Sequence, residues 1–530
     1  MIELRELILP LGYTDALLRT TVAERLGVAA DTVGEIQLLR RAVDARRERV
    51  RFAASVAAEV QNEESLIQTG RAQRHVPYKV PRPEGLKEKP RTRPVVCGAG
   101  PAGLFAALEL ARAGAEPLLI ERGAPVERRL ADIENFSRTR ILNPSSNIQF
   151  GEGGAGAFSD GKLTTGIGGK AARTVLHTLY ECGAPEEILW QGKPHIGTDR
   201  LPDVVRGLRQ AILDAGGEVW FDTRLCGLKV TDGALRGVVL ERNGRTEELE
   251  TEKLVLAAGH SARDVYEMLY ELGVPLEQKA FSLGVRAEHS QAAIDRAQYG
   301  SAAGHPALGA ADYKLSCHLP SGRAVYSFCM CPGGEVVAAA SEPFCVVTNG
   351  MSRFARDGVN ANAAILVSVM PSDFGSAHPL AGIEFQRRWE HAAFQLGGGD
   401  YTAPAQYLGD FLARRAPTKA PKRAVRGSYP LGLRFVELDD CLPGFVTASL
   451  REAFPIFGRR LRGFDHPGAL LTGVETRSSS PVRVLRNAAM ESVGLRGLYP
   501  CGEGAGQAGG IVSAAADGLR VAEALLQSLR

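Results

Sequence analysis

Three side chains have the type and the sequence neighbours of catalytic or ligand-binding residues. His195 lies beside Asp199 at a predicted helix start, where an imidazole can move a proton or cap the helix by hydrogen bonds. Arg477 lies in a run of charged and hydroxyl side chains from 475 to 483. It could clamp a carboxylate, or it could pin its own loop. Lys162 ends a glycine-rich segment and could face a bound ring or the solvent.

Two thiols form a second candidate group. Cys329 and Cys331 are two positions apart in a run typical of a β-strand, which predicts that both point to one face. They could exchange electrons as a dithiol, or they could act as small apolar residues. They lack the helix-start placement that activates CxxC thiols. No set of Cys and His has the spacing of a zinc site, so no metal is expected.

The composition narrows the classes of protein. The 63 basic and 60 acidic residues leave a net charge of +3, which does not favour a nucleic acid or an anionic membrane as partner. No apolar stretch is long enough to span a membrane, and the acidic start is unlike a signal peptide. The nine cysteines are an odd number, so we expect no disulfide framework and a cytoplasmic location. Glycine, with 60 residues, is in excess and marks the places to inspect.

A phosphate-binding turn is predicted between a strand at 94–97 and a helix at 104–113. The turn reads Gly98-Ala99-Gly100-Pro101-Ala102-Gly103. Its first glycine permits the tight turn, its second lets the backbone approach a pyrophosphate, and its third lets the helix pack close to the strand. The helix start offers free N–H groups to phosphate. Glu121 ends the next strand and can accept hydrogen bonds from both hydroxyls of a ribose. The unit predicts dinucleotide binding.

A glycine cluster near the C-terminus indicates which dinucleotide binds. Residues 497–503 read as a strand that ends in Glu503, and a helix is predicted from Ile511 to about Leu529. The turn between them reads Gly504-Ala505-Gly506-Gln507-Ala508-Gly509-Gly510. A second helix start suits FAD, because its N–H groups could stabilise negative charge at the N1–O2 edge of a reduced flavin. Glu503 could bind ribityl hydroxyls.

A third glycine cluster, at 150–162, includes Gly154 and Gly156. So much glycine suggests backbone that passes flat against a ring system. The alternative is a flexible surface loop, and the apolar Phe150 and Phe158 favour packing.

These motifs give the chain a resemblance to FAD-dependent dehydrogenase-like flavoproteins of the glutathione-reductase-type superfamily. It resembles more closely a bacterial family of predicted FAD-dependent oxidoreductases of largely undefined substrate. The resemblance covers nearly the whole chain. It rests on the GAGPAG turn at 98–103, Glu121-Arg122-Gly123, FGEGGAGAFSDGKL at 150–163, His195 to Leu201, Gly259 to Asp264, Phe328 to Gly334, Asn349 to Ser352, Tyr499 to Gly506 and Ala508 to Ala516.

The resemblance implies roles for individual residues. The pyrophosphate would be held by Gly98, Gly100, Ala102 and Gly103, and the adenosine ribose by Glu121 and Arg122. Arg129 matches an arginine often turned toward the phosphates, and Gly259 matches a turn near the cofactor. The ribityl chain and flavin would be held by Gly502, Glu503, Gly510 and Ile511. We add Pro101, Gly154, Gly156 and Gly509, from the three glycine clusters, to the expected cofactor-binding residues.

The expected fold is α/β: a Rossmann-like FAD-binding domain of glutathione-reductase type with an inserted α+β substrate domain and a small N-terminal α+β domain. The predicted boundaries are 1–75 for the N-terminal domain, 76–92 for a linker, 93–274 and 471–530 for the FAD-binding domain, and 275–470 for the substrate domain.

The sequence thus predicts an FAD-dependent oxidoreductase that passes a hydride between flavin N5 and a small polar organic substrate. No second complete dinucleotide turn is present, so NAD(P)H would act as a transient reductant over the flavin, or the substrate supplies the hydride. One alternative is a flavoprotein that docks to RNA through the basic stretch between Arg40 and Arg51, which includes Arg47. The other is a flavin-dependent monooxygenase. The sequence gives no oligomeric state.

Overall fold

The computed structural model describes residues 1–46 and 49–530; Arg47 and Glu48 of the basic stretch lie outside the described residues. The fold is mixed α/β, with parallel and antiparallel sheets.

The N-terminal unit is a four-stranded sheet with one longer helix packed on it. Its elements are β1 (Ile2–Pro10), α1 (Asp15–Leu26), β2 (Val33–Asp44), β3 (Arg51–Val60), α2 (Glu63–Gln68) and β4 (Gln73–Arg74). The strands pair antiparallel in the order β2-β3-β1-β4. The Thr14 hydroxyl caps α1 by accepting the Leu17 N–H at 3.3 Å, as expected of threonine before an apolar helical pattern.

The hairpin of β2 and β3 is attached to the rest of the protein through Arg41. Its guanidinium carbon lies 4.8 Å from the ring centres of both Phe52 and Trp190. Its carbonyl accepts the Gly192 N–H at 2.8 Å. An arginine between two aromatic faces gains cation–π attraction, so this contact fixes the unit against the 190–192 loop.

A second region carries the parallel sheet. Its elements are β5 (Val95–Cys97), α3 (Pro101–Arg112), β6 (Leu118–Ile120), α4 (Val126–Thr139), α5 (Lys170–Glu181), α6 (Glu187–Trp190), α7 (Leu201–Asp214), β7 (Glu218–Trp220), β8 (Thr223–Thr231), β9 (Ala234–Arg242), β10 (Arg245–Glu250), β11 (Leu254–Leu256), α8 (Arg263–Glu271) and β12 (Leu276–Gln278).

A third region carries a larger mixed sheet. Its elements are β13 (Phe281–Ser290), α9 (Gln291–Tyr299), β14 (Ser316–His318), β15 (Ala324–Cys331), β16 (Glu335–Ala338), β17 (Thr348–Met351), β18 (Asn360–Val369), α10 (Ala381–Gly397), β19 (Ala403–Tyr407), α11 (Leu408–Leu412), β20 (Leu433–Phe435), α12 (Gly444–Arg460), β21 (Leu470–Glu475) and β22 (Val482–Val484). The chain then returns to the parallel sheet with β23 (Leu498–Pro500) and α13 (Ile511–Leu529).

The parallel sheet has the order β23-β11-β5-β6-β7, so the last strand of the chain joins a sheet begun near residue 95. Its central strands are fully buried, as expected for a sheet with helices on its faces. Because the strands are parallel, the turns after β5 and β23 emerge at the same edge. This edge is where ligands bind in open α/β sheets.

The larger sheet has the order β14-β15-β18-β13-β21-β19-β20 and is covered by α10 and α12. Its strand β21 ends at Glu475, the first residue of the charged run that contains Arg477. Among the described residues, no helix combines the length and the apolar character needed to cross a membrane.

Candidate cofactor-binding site

The helices that follow the two glycine turns, α3 and α13, pack against each other at the first turn of α3. Gly518 of α13 lies so close to α3 that a Cβ there would overlap the Ala102 carbonyl oxygen. A Cβ on Gly502 would lie 2.7 Å from the Ala102 Cβ. The two helices are capped at Gly100 and Gly510 without a side-chain hydrogen bond. Their first N–H groups have no intrahelical acceptor and can therefore bind a ligand.

A cavity of about 760 Å³ lies at these two helix starts, within the size range of cofactor sites. The predicted site residues that line it are Gly98, Gly100, Pro101, Ala102, Glu121, Arg122, Gly154, Gly156, Lys162, Gly259, Arg477, Gly502, Glu503, Gly509, Gly510 and Ile511. Gly103, Arg129 and His195 are not among the lining residues. Two turns that are distant in the chain thus meet at one cavity.

The first turn is shaped by close backbone contacts. Gly98 has a φ of +105°, which favours glycine, and a Cβ there would overlap the Ala257 carbonyl. A Cβ on Gly103 would overlap the carbonyl of Gly98. Gly103 therefore acts behind the cavity, where it lets α3 pack against the turn.

The carboxylate of Glu121 ties the first turn to the third glycine cluster. Its Oε2 accepts the Ala99 N–H at 2.8 Å, and its Oε1 accepts the N–H groups of Gly123 at 2.9 Å and Gly151 at 3.0 Å. A carboxylate has about four acceptor sites, and three of them are used here. One acceptor site of Glu121 therefore remains, at Oε2. It suffices for one ribose hydroxyl, and not for both as expected from the sequence.

Arg122 and Gly259 both line the cavity. The Arg122 guanidinium carbon lies 4.3 Å from the Phe150 ring centre, and its Nη2 donates to Asp264 at 2.8 Å. Gly259 follows β11, and its carbonyl accepts the Tyr266 hydroxyl at 2.8 Å. Both residues are thus held by contacts within the protein.

The third glycine cluster bridges the two helix starts. A Cβ on Gly100 would lie 3.9 Å from the Cα of Gly154. A Cβ on Gly156 would lie 3.1 Å from the Ile511 Cγ1. The cluster is therefore packed along the cavity, as Phe150 and Phe158 suggest, rather than extended as a surface loop.

Arg129 does not reach the cavity, contrary to the expectation from the resemblance. It is fully buried, and its guanidinium donates to backbone carbonyls of the neighbouring loop. The acceptors are Asn147 at 2.8 Å, Ile148 at 2.9 Å, Gly151 at 3.2 Å and Glu152 at 2.7 Å. A buried charge needs such partners, and they leave the side chain turned to the loop. Arg129 therefore stabilises the loop that carries the third glycine cluster.

His195 is also directed away from the cavity. Its Nε2 lies 2.9 Å from the Phe354 carbonyl oxygen, and its ring stacks on the Phe354 ring at 5.2 Å. Burial lowers the pKa of His195, because the charged imidazolium loses its hydration. These contacts favour the hydrogen-bonding alternative for His195 over that of a catalytic proton shuttle.

The second turn is anchored by Asp517 of α13. Its fully buried carboxylate accepts the Gly502 N–H at 2.9 Å and pairs with Arg486 at 2.8 Å. Next to this turn, Glu503 lines the cavity, and its Oε1 lies 3.5 Å from the His260 Nδ1. The position of Glu503 is compatible with the predicted contact to ribityl hydroxyls.

Lys162 lines the cavity and donates from Nζ to the Met330 carbonyl. The nearby Asp160 forms an ion pair with Arg356, whose Nε lies 2.9 Å from Oδ1. It also accepts a hydrogen bond from the Ser352 hydroxyl at 2.6 Å. These contacts lower the pKa of Asp160. Lys162 therefore faces the cavity rather than pairing with the nearest acid.

Arg477 lines the cavity, but its donors are used within the protein. Nε and Nη2 bind Glu390 at 3.0 and 2.9 Å, and Nη1 donates to the hydroxyls of Ser261 and Ser341. The same carboxylate accepts from Arg263 at 2.9 Å. Glu390 is fully buried, and the two arginines lower its pKa. The geometry favours the loop-pinning alternative over a clamp for a substrate carboxylate.

One feature that sequence reasoning missed is Arg286 in β13. It is fully buried, its Nη2 lies 2.7 Å from Glu475, and it donates to the Asn349 amide oxygen at 2.9 Å. Its Nη1 donates to the Cys329 carbonyl at 2.9 Å. The available signal was an arginine within the apolar run 283–287 of the strand, because charges are rarely buried without a paired role.

The glycine cradle, the two free helix starts and the cavity volume fit FAD, a dinucleotide with a pyrophosphate in its middle. They define an α/β protein with a site for a phosphate-containing cofactor.

The chain belongs to the same family as an uncharacterized protein of Clostridium beijerinckii, which is 46% identical over 519 residues covering 96% of both chains. Residues 280–478 match the family model described as "FAD-dependent protein, C-terminal domain-like". Residues 1–59 match "Domain of unknown function (DUF8436)". The match over residues 280–478 supports FAD as the cofactor and an oxidoreductase as the class of enzyme.

Solved structures show weaker similarity. A quinol fumarate reductase of E. coli is 12% identical, covers 83% of this chain and 70% of its own, and has a TM-score of 0.37. A geranylgeranyl bacteriochlorophyll reductase-like protein of Thermoplasma acidophilum is 12% identical, covers 83% and 79%, and has a TM-score of 0.35. At these values we infer nothing about activity from either.

Proposed function

We propose that the protein is an FAD-dependent oxidoreductase that transfers a hydride between flavin N5 and a small polar organic substrate. The proposal rests on one observation: α3 and α13, which each begin after a glycine-rich turn, both start at one cavity of about 760 Å³. A flavin in that cavity would supply the hydride chemistry.

The start of α3 would hold the pyrophosphate. Its N–H groups and its helix dipole favour negative charge, and Gly100 leaves room for phosphate to approach the backbone. Oε2 of Glu121 would accept one ribose hydroxyl. The start of α13, beyond Gly510, would stabilise negative charge on the reduced ring, and Glu503 would hold the ribityl chain.

The remaining part of the cavity would receive the substrate. Lys162, Tyr326 and Asn349 line it with polar groups. Lys162 uses one Nζ donor on the Met330 carbonyl, so the remaining donors can hold a polar or anionic group of the substrate. This part of the site supports a polar substrate. NADH or NADPH would act as a transient reductant, or the substrate would supply the hydride.

Two alanine variants test the cofactor site without disturbing the fold. A Cβ at Gly100 meets only Gly154, at 3.9 Å, and a Cβ at Gly509 meets nothing within 4 Å. Both positions line the cavity. Gly166→Ala is the matched control, because a Cβ there also meets nothing within 4 Å and Gly166 does not line the cavity.

The purified protein should be yellow and should absorb at about 450 nm, as is typical of oxidised flavin. We expect each cavity variant to raise the Kd for FAD by about tenfold or more, which is about 1.4 kcal/mol, while Gly166→Ala binds FAD like the parent. Anaerobic bleaching by NADH, NADPH and a panel of polar metabolites would then identify the electron donor. A colourless protein that takes up no added FAD would refute the proposal.

A further inference from the structure

Strand β15 contains an irregularity at Cys329. Its pairing with β18 runs regularly to Phe328 opposite Ala364, and resumes only at Cys331 opposite Asn362. One extra residue is therefore accommodated in β15, as in a β-bulge. Cys329 has a φ of +43°, which is rare for a residue other than glycine and is often found at functional sites.

The bulge separates the surroundings of the two thiols while keeping them adjacent. Cys329 lines the cavity, whereas Cys331 is fully buried. The Cys331 thiol donates to the Cys329 carbonyl oxygen at 3.3 Å, which holds the Cys331 sulfur beside the Cys329 backbone. In a regular strand, residues two apart are about 6.7 Å apart, near the upper limit for a disulfide. The bulge at Cys329 departs from this regular strand geometry.

The charges around Cys329 favour its thiolate. The neighbouring Cys331 thiol and the positive charges of Arg286 and Lys162 lower the pKa of Cys329, against the opposing effect of burial. Asp160 opposes them from the loop that carries Lys162. The negative charge of Glu475, on β21, also opposes them but is paired with Arg286. The pKa of Cys331 is raised, because the neighbouring Cys329 sulfur favours its protonated form and because the thiol is buried. The pair thus combines a nucleophilic sulfur with a proton-bearing one.

We propose that Cys329 and Cys331 form a redox-active pair that exchanges two electrons with the FAD of the same cavity. In the oxidative direction a sulfur–sulfur bond forms between the Cys329 thiolate and Cys331. The Cys331 S–H bond breaks, and oxidised FAD receives the electron pair and that proton. The reverse direction restores one thiolate and one thiol. The exchange with FAD rests on the proposed function.

Thiol trapping tests the pair without flavin activity. The whole protein is equilibrated in a series of glutathione buffers, alkylated, digested and analysed by mass spectrometry. We expect a peptide with Cys329 linked to Cys331 in oxidising buffers and alkylation of both in reducing buffers. Cys331→Ser and Cys329→Ser should each abolish the link. Cys226→Ser, a control at an exposed cysteine, should retain it.

Alkylation against pH tests the activation of Cys329. Its rate should reach half-maximum at lower pH than that of Cys226 in the same protein, and Cys331→Ser should shift the Cys329 curve upward. Equal curves for the two cysteines, or both thiols alkylated in every buffer, would overturn the pair.

A reductive titration tests the exchange with FAD. After oxidation in the glutathione series, the holoprotein should take up four electrons per flavin under anaerobic conditions, and Cys331→Ser should take up two. Uptake of two electrons by both would overturn the exchange while FAD binding stands. Failure to bind FAD would instead refute the proposed function, and the trapping result would still decide whether the pair forms.

Discussion

Replacing Gly518 by alanine should separate the two helices that position the cofactor. A Cβ at this position would lie 3.0 Å from the Ala102 carbonyl carbon and would overlap the carbonyl oxygen. The oxygen is the limiting contact, so α13 must shift from α3 by about 1 Å or more to restore a van der Waals distance. Overpacking of this kind costs about 1–3 kcal/mol, offset by about 1 kcal/mol from the better helix propensity of alanine. The net loss should be up to about 2 kcal/mol.

Two assays measure this change. Urea unfolding followed by circular dichroism gives the loss of stability, and titration with FAD gives its Kd, which should rise about tenfold because the helix starts no longer align. Gly444→Ala is the control, since Gly444 begins α12 and a Cβ there meets nothing within 4 Å. A Gly518→Ala protein as stable as the parent, with unchanged affinity for FAD, would refute this account of how the helices are placed.

Two further predictions concern buried ionisable groups. Glu390→Gln should lower the stability by about 3–5 kcal/mol, because Arg263 and Arg477 lose the charge that balances them; equal stability in urea would contradict this. In the parent, folding lowers the pKa of Glu390. Its contribution to the free energy of unfolding is therefore complete above the pH at which a free carboxyl group ionises, and is lost as the pH falls below that range. Urea unfolding at a series of pH values, compared with the Gln variant, measures this loss. His195→Gln should leave the Kd for FAD unchanged, because the ring contacts Phe354 outside the cavity, and a tenfold weaker affinity would contradict that placement. Burial lowers the pKa of His195, so the parent should lose stability relative to this variant as pH falls through about 6.5.

The parts of the fold set by local sequence were predictable. The GAGPAG turn specifies a strand, a tight turn and a helix within a short segment, and the structure has β5 and α3 there. The return of the chain to the same sheet near residue 498 followed from a second strand, turn and helix pattern. In both places glycine is required by the backbone itself, so its position carries structural information.

The parts set by distant contacts were not predictable. Arg129 was placed near phosphates by resemblance, yet its donors are taken by the 147–152 loop. Alternation predicted a regular strand at Cys329, but the pairing of β15 with β18 accommodates an extra residue there. The partner of Arg477, Glu390, lies far away in the sequence. Each outcome depends on which groups fold against the side chain, and residue spacing does not encode that.

The hydrogen bonds of Arg129 have a consequence for how the cofactor arrives. The glycine cluster beside the cavity is held from within the protein, by a guanidinium that grips successive carbonyls and by the Glu121 carboxylate. A loop braced in this way keeps its shape before any ligand enters, so binding loses little conformational entropy. The apoprotein should therefore present a ready-made receptor, and association with FAD should proceed in a single fast step rather than by slow rearrangement.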